Sequence, residues 1–192
     1  MAVLAGSTTE LIYSNTAPGT ALASFTSEAL ANDVAGMGVQ AQLSPYYLDR
    51  FRWGLDELYI LAYGLLSSTG TPTYTFTIRL GASGTTAPIV LGSAALTTAS
   101  GVTNKLWRIQ GIVSLQTRGA DGANSTVRGT GIIDSPAGLA ASGALLGGAA
   151  APGTITTVDP SIVNFVNLNI ACSASSASNT IQVLALSVFG LH

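Results

Sequence analysis

One set of residues that could carry chemistry is the segment 118–129, which reads RGADGANSTVRG. Two arginines and an aspartate among small polar residues are types that can hold a phosphate, a metal ion or a sugar. The segment lacks the GxxxxGK[ST] spacing of a phosphate loop, and it also lacks the alternating acidic ligands and final glutamate of a calcium loop. Because alternating apolar runs flank it, the Gly/Asp/Asn stretch predicts a β-hairpin turn. Arg118, Asp121 and Arg128 are predicted to form a cross-hairpin ion pair or a polar contact with another subunit.

Few other residues could support catalysis. The chain has one histidine, His192, and one cysteine, Cys172, which are too few for a zinc ligand set or a nucleophilic triad. Its nine carboxylates leave a paired-carboxylate glycosidase open, since the two acids of such an enzyme can lie far apart in sequence. Sugar hydrolysis also requires an aromatic-lined cleft, and only 7% of the residues are aromatic. We therefore expect a protein that is not an enzyme and that holds no cofactor or metal ion.

A second charged cluster lies at 49–57, where Arg50 and Arg52 stand among acidic residues near Trp53. Charge pairs of this kind are common structural features, so the cluster is predicted to form ion pairs or to contact a neighbouring subunit. Cys172 and Trp107 each fall on the apolar face of a predicted strand. This position favours core packing for both residues over a reactive thiol or a sugar-stacking ring.

Composition narrows the classes of partner. Charged residues make up 8% of the chain, hydrophobic residues make up 47%, and the net charge is −2, whereas soluble domains usually carry about 25% charged residues. So few charges indicate a surface that is largely covered by other protein. Lysine and arginine form no cluster that could neutralise phosphates, which argues against nucleic acid as a partner. The N-terminus does not resemble a signal peptide, and the uncharged runs are broken too often to span a bilayer, so no membrane association is expected.

Alternation of apolar and polar residues predicts most of the secondary structure. The clearest predicted strands are 57–66, 73–80, 106–115 and 163–172, and a fifth run, 179–192, is apolar on both faces after Gln182. An apolar pattern on both faces is typical of a central strand or of a strand that meets another subunit. The inward side chains predicted for the second and third runs are Tyr74, Phe76, Ile78, Leu80, Trp107, Ile109, Val113 and Leu115. In the fourth run, Asn167 and Asn169 are predicted to point outward.

Two segments are less regular. Residues 27–36 begin with Ser27 and end with Gly36, which are a plausible cap at each end of a short helix. The small residues of 136–153 allow either a loose helix or a long ordered loop. In total, about eight strands joined by turns and long loops predict an all-β fold, a jelly-roll-like antiparallel β-sandwich with little helix. Residues 1–45 are predicted to form an N-terminal arm with an extended or short helical segment, and 46–192 the β-sandwich domain.

The order of these features resembles a broad group of tailed-bacteriophage virion proteins with a jelly-roll-like β-sandwich. In them, a strand like LYILAYGLL leads through TGTPT into one like TYTFTIRLG. A strand like LWRIQGIVSLQTRG then opens a hairpin, and a late Asn-rich strand like VNFVNLNIACSASSASNTI follows. The similarity spans about residues 55–192 and lies in the pattern, without any chemical motif. Proteins of this kind are head decoration (cement) proteins, head or collar spike components, or tail-tip and fibre modules, and the resemblance implies a homotrimer.

These observations lead to one main functional expectation and one alternative. The main expectation is a non-enzymatic virion structural protein, an oligomeric capsid decoration or head-associated protein that stabilises the particle through contacts with itself, the major capsid protein or other virion proteins. The alternative is a receptor- or glycan-binding module of a phage tail fibre or spike. The low charge fits glycan binding, but the aromatic residues form no evident surface stripe in the sequence.

Overall fold

A computed structural model of the chain describes residues 9–32, 41–47, 57–82, 86–119, 125–146 and 155–191. Within these ranges the backbone forms fourteen β-strands, and every pairing between them is antiparallel. The strands are β1 (Thr9–Asn15), β2 (Leu22–Ala23), β3 (Ala29–Leu30), β4 (Ala41–Leu43), β5 (Glu57–Ser67), β6 (Thr73–Gly81), β7 (Ile89–Ser93), β8 (Leu96–Thr97), β9 (Lys105–Thr117), β10 (Ser125–Asp134), β11 (Gly143–Leu146), β12 (Thr156–Val158), β13 (Asn164–Cys172) and β14 (Thr180–Leu191). No helix in the described residues is long and apolar enough to cross a membrane.

The strands form two layers that belong to one continuous sheet. The first layer has the order β1-β14-β5-β9-β10, and the second has the order β7-β6-β13 with β3 and β4 both pairing with the free edge of β13. Strand β11 pairs with both β10 and β7 and so joins the layers. The order β1-β14-β5-β9 over β3/β4-β13-β6-β7 is that of a jelly roll.

The predicted all-β, jelly-roll-like sandwich is therefore confirmed, although the strands outnumber the eight expected. Most of the extra strands have only two to four residues, namely β2, β3, β4, β8, β11 and β12. Pieces this short cannot display an alternating pattern long enough to be recognised in a sequence. The two-sided apolar run near the C-terminus is indeed a central strand, since β14 pairs with β1 on one edge and with β5 on the other.

Aromatic and glycine residues set the distance between the layers. The Trp107 ring of β9 lies 5.6 Å from the Phe76 ring of β6, centroid to centroid, and its Nε1 donates a hydrogen bond to the Leu65 carbonyl at 3.2 Å. Leu91 of β7 reaches the opposite layer where Gly111 and Gly129 have no side chain, and a Cβ built on either glycine would lie 2.6 Å from a Leu91 methyl group. Close packing of this kind fixes how the layers lie on each other.

The structure refines three expectations about the chain. Of the extended or short helical segment expected at 27–36, the described part, residues 27–32, contains no helix, and β3 pairs with β13 there. The tertiary pairing at the sheet edge overrides the local capping signals. Likewise, the described part of 136–153 contains the short strand β11 rather than only a loop or helix, because the β10 and β7 edges pair with it.

The third concerns Asn167 and Asn169, which point outward as predicted but are fully buried. They do lie on the face of β13 that points away from the core. Their register partners on β6 are Arg79 and Thr77, and Glu28 reaches across this face to bind both partners. The outward face is thus covered by another part of the chain, which alternation within one strand cannot reveal.

Candidate interaction face

The first layer presents an unusually apolar surface on the side that faces away from the core. In β5, the side chains of Leu58, Ile60 and Ala62 point into the core, whereas those of the alternate residues are partly or fully exposed. Because β5 is apolar at nearly every position, its alternation puts apolar side chains on both sides of the sheet. We call the side of β1, β14, β5, β9 and β10 that points away from the core the outer face.

The antiparallel register arranges the outer face in five rows that cross the strands. In an antiparallel sheet, directly paired residues lie on the same side. From one end of the strands to the other, the rows are Thr9-Leu191-Glu57-Ser114-Arg128, Leu11-Phe189-Tyr59-Ile112-Thr130, Ser14-Ser187-Leu61-Gln110-Ile132, Ala185-Tyr63-Arg108-Asp134 and Gln182-Leu65-Leu106. About half of these positions are apolar, and they are concentrated in the second row and along the central strand β5.

Several of these apolar side chains are largely open to solvent. The exposed fraction is 63% for Leu106, 57% for Leu11, 47% for Tyr63 and 44% for Ile132. The Tyr59 and Phe189 rings pack beside each other with centroids 6.3 Å apart. Contiguous exposed apolar surface on a sheet face usually marks a site of interaction.

A groove of about 650 Å³ runs along one end of the outer face. Its walls include Leu61, Tyr63, Leu106 and Pro136, and its polar groups include Gln110 and Ser187 together with an ion pair. In that pair, Nε and Nη2 of Arg108 each lie 2.9 Å from Oδ2 of Asp134. The groove is predominantly apolar, so it suits an apolar side chain of a partner better than a charged ligand.

The charges on the outer face are few and mostly engaged. Arg108 is paired with Asp134, and the Glu57 carboxylate accepts a hydrogen bond from Ser114 Oγ at 2.8 Å. Arg128 is exposed and lies opposite Ser114, in the same row as Glu57. Two basic and two acidic groups give the face no net charge.

The corresponding side of the second layer is chemically different. Its β6 residues are Thr73, Thr75, Thr77 and Arg79, and the Arg79 guanidinium forms a bidentate pair with Glu28, with 2.8 Å from Nε to Oε1 and 2.6 Å from Nη2 to Oε2. These hydrogen bonds lower the pKa of the Glu28 carboxyl below its usual value. This side is polar and partly covered, so the apolar outer face is a property of the first layer alone.

The structure tests only part of the predicted charged site. The hairpin itself is confirmed, because β9 and β10 pair from Thr117↔Thr126 to Arg108↔Asp134 and the Gly119 amide donates to Ser125 Oγ at 3.1 Å. Arg118 is exposed just past the end of β9, and Arg128 belongs to the outer face. Asp121, Arg50 and Arg52, like Trp53 and His192, lie outside the described residues. A role of these residues in subunit contacts stays a prediction.

Two residues weighed as chemical candidates are core residues, as predicted. Trp107 and Cys172 are 1% and 2% exposed, and the Cys172 thiol donates a weak hydrogen bond to the Ala174 carbonyl at 3.3 Å. Burial on this scale removes both from contact with a soluble ligand. In the described ranges, no group of three or more histidine, cysteine, aspartate or glutamate side chains could hold a metal ion.

The carboxylates of the described residues are spread over the fold and bound to nearby donors. Glu10 accepts a hydrogen bond from the Tyr47 hydroxyl at 3.0 Å, and Asp159 accepts one from the Ser161 amide at 2.9 Å. Glu28, Glu57 and Asp134 are engaged as described above. Each carboxylate thus has a structural partner, and the feature that sequence reasoning missed is the apolar outer face. The signal for it was present, since the run LYILAYGLL is apolar at almost every position.

Comparison with known proteins adds no relative. No protein-family model matches the chain, and no curated protein matches it with a significant score.

Proposed function

We propose that this chain is a non-enzymatic structural protein of a virion that stabilises the particle through protein–protein contacts, as an oligomeric capsid decoration or head-associated protein. The observation that carries the proposal is the outer face, a broad sheet surface on which Leu106, Tyr63 and Ile132 are exposed. In a monomeric protein, polar residues at these positions would favour solubility. In a protein that forms an assembly, apolar residues there stabilise the interface.

Three further properties support the proposal. The chain carries only 8% charged residues, it has the jelly-roll strand order, and its pattern of strands resembles that of tailed-phage virion proteins. The resemblance also implies a homotrimer that contacts the major capsid protein or another virion protein. We include this assembly in the proposal.

An estimate of the area makes such assembly energetically reasonable. With strands about 4.8 Å apart and rows about 6.8 Å apart, the paired positions of the five rows cover about 700 Å², and half of that is about 350 Å² of apolar surface. Removing this apolar surface from water is worth about 9 kcal/mol for each partner. Association costs about 4–15 kcal/mol in lost freedom, so burial of the face on two partners is sufficient for a stable contact, and repeated copies on a particle would add avidity.

The first test compares Leu106→Arg with Thr75→Arg. Both positions are on strands and accessible, but Leu106 lies on the outer face and Thr75 on the polar side of the second layer. We expect at least a tenfold weaker association for Leu106→Arg and wild-type association for Thr75→Arg, measured by analytical ultracentrifugation, because a buried unpaired charge opposes association. Circular dichroism checks that both variants fold. A wild-type protein that stays monomeric at micromolar concentration and does not bind capsids contradicts the proposal.

The second test locates the protein on the particle. Negative-stain images of virions with and without the protein should differ at the capsid surface or head, and particles without it should lose their DNA at a lower temperature. Protein density at the tail tip, combined with particles of unchanged heat stability, would refute the decoration role.

One observation favours the alternative of a receptor- or glycan-binding module. In the groove, the exposed Tyr63 ring lies beside Arg108 and Gln110, and an aromatic ring next to polar donors is suited to a sugar. The apolar walls argue for a protein partner instead. A glycan array or cell-adsorption assay separates the two functions, because specific, saturable binding that Tyr63→Ala abolishes would favour the alternative.

A further inference from the structure

We infer that the outer face is occupied by a second copy of this chain, packed face to face about a two-fold axis that passes near Leu61 and Gln110. The inference rests on the self-association included in the proposed function and specifies which surface is used and with which symmetry. Leu61 and Gln110 are register partners in the middle row of the face, so they mark its centre.

The size of the outer face fits a second copy of the same face. A stable protein–protein interface of standard size buries about 800 Å² on each partner. The five rows of the outer face cover about 700 Å², which is close to this value. A second outer face therefore matches the first in extent, whereas a peptide or a small ligand would fill only the groove and leave Leu11, Ile112 and Ile132 in water.

The charges of the outer face also fit a second copy. The face carries Arg108 and Arg128 together with Glu57 and Asp134, and such a balanced surface repels neither itself nor a neutral partner. The face offers no electrostatic potential of the opposite sign that would attract a strongly acidic or basic partner. Because Arg108 and Asp134 already bind each other within the chain, the partner needs to supply apolar surface rather than counter-charges.

The order of the rows matches aromatic residues of two copies across a two-fold axis. Tyr59 and Tyr63 stand on either side of Leu61 along β5, and Ile112 and Arg108 stand on either side of Gln110 along β9. A two-fold axis that lies along the middle row would place Tyr59 of one copy against Tyr63 of the other. The exposed Tyr63 ring would then meet the tyrosine and phenylalanine pair formed by Tyr59 and Phe189, which is a favourable aromatic contact.

The symmetry leads directly to an experiment. In a two-fold interface, a residue near the axis approaches its own copy. Packed sheets lie about 10 Å apart, which exceeds the Cα separation of about 7 Å that a disulfide can span. We therefore choose Gln110→Cys with a short bis-maleimide linker, and Thr75→Cys as the matched control. The native Cys172 is buried, so the wild-type protein serves as the background.

The inference expects Gln110→Cys to give a covalent dimer in high yield at micromolar concentration and Thr75→Cys to give none above background. It also expects an even number of subunits by sedimentation, a dimer or a pair of trimers. A trimer in which Gln110→Cys does not cross-link would overturn the face-to-face pair and leave the proposed function standing. A monomer that also fails to bind capsids would overturn both.

Discussion

The contact between the layers at Leu91 allows a prediction of how substitutions at neighbouring glycines change the free energy of unfolding. Leu91 is fully buried, and one of its methyl groups lies 2.6 Å from where a Cβ on Gly111 would be, whereas the next residue, at Thr130 O, is 3.8 Å away. Gly111→Ala therefore clashes only with the end of one leucine side chain. We expect it to lower the free energy of unfolding by about 1–3 kcal/mol, as overpacking usually does.

Removing the obstructing side chain should reverse this effect. Leu91→Ala alone leaves a cavity and should cost about 2–5 kcal/mol. In the Leu91→Ala background, the added methyl of Gly111→Ala no longer clashes and fills part of the cavity. The double variant should thus be more stable than the sum of the single effects by about 1–2 kcal/mol.

Gly129→Ala provides the control, because its Cβ would also contact the Val90 carbonyl oxygen. Leu91→Ala does not remove this clash with the Val90 backbone, so Gly129→Ala should remain destabilising in the Leu91→Ala background. Urea unfolding followed by tryptophan fluorescence measures all variants, and the protein concentration is kept constant because subunit association raises apparent stability. Additive effects of Gly111→Ala and Leu91→Ala would refute the described packing of β7 on β9.

Two further predictions concern polar groups of the second layer and its edge. Binding to Arg79 lowers the pKa of Glu28, so the ion pair stabilises the fold fully above the usual glutamate pKa, and this stabilisation is lost as the pH falls through the lowered folded-state pKa. Glu28→Gln should therefore reduce the loss of unfolding free energy as the pH is lowered. An unchanged dependence on acidic pH would contradict this role of Glu28. Asn167 is fully buried and its carboxamide bonds to no residue that the structure describes, so the isosteric Asn167→Leu should leave stability unchanged or raise it by about 1–3 kcal/mol in urea unfolding. Asn32→Leu is the matched contrast and should destabilise by about 1–3 kcal/mol, because Asn32 Oδ1 accepts the Leu168 amide hydrogen at 2.8 Å; equal effects of the two changes would argue against this account.

The long strands could be predicted from the sequence because each one contains an alternating pattern of apolar and polar residues. Alternation identified 73–80, and Tyr74, Phe76, Ile78 and Leu80 are all fully buried as predicted. The same holds for Trp107 and Ile109, although Leu115 at the far end of β9 is only half-buried. Alternation with a period of two residues is a local property of one strand, so it can be recognised without knowing how the strands pack.

What depended on other parts of the chain could not be predicted. Capping signals at 27–36 suggested a helix, but the free edge of β13 selects a strand at Ala29–Leu30. Alternation placed Asn167 on the outward side of β13, but it could not show that Glu28 and its partners cover that side of the sheet. The candidate face is an intermediate case, since the two-sided apolar pattern was visible, while its continuity across five strands follows only from the register.

The position of β14 between β1 and β5 has a consequence for the order of events in folding. Residues 180–191 are the last strand in the sequence, yet they supply the pairing partner for both of these earlier strands. Until they have left the ribosome, β1 and β5 lack their shared neighbour, and the apolar edge of β5 is open to pairing with other chains. Pairing over such sequence distances is slow. The first layer can therefore close only after residue 191 has been translated, and until then β5 has no partner on the edge that β14 occupies.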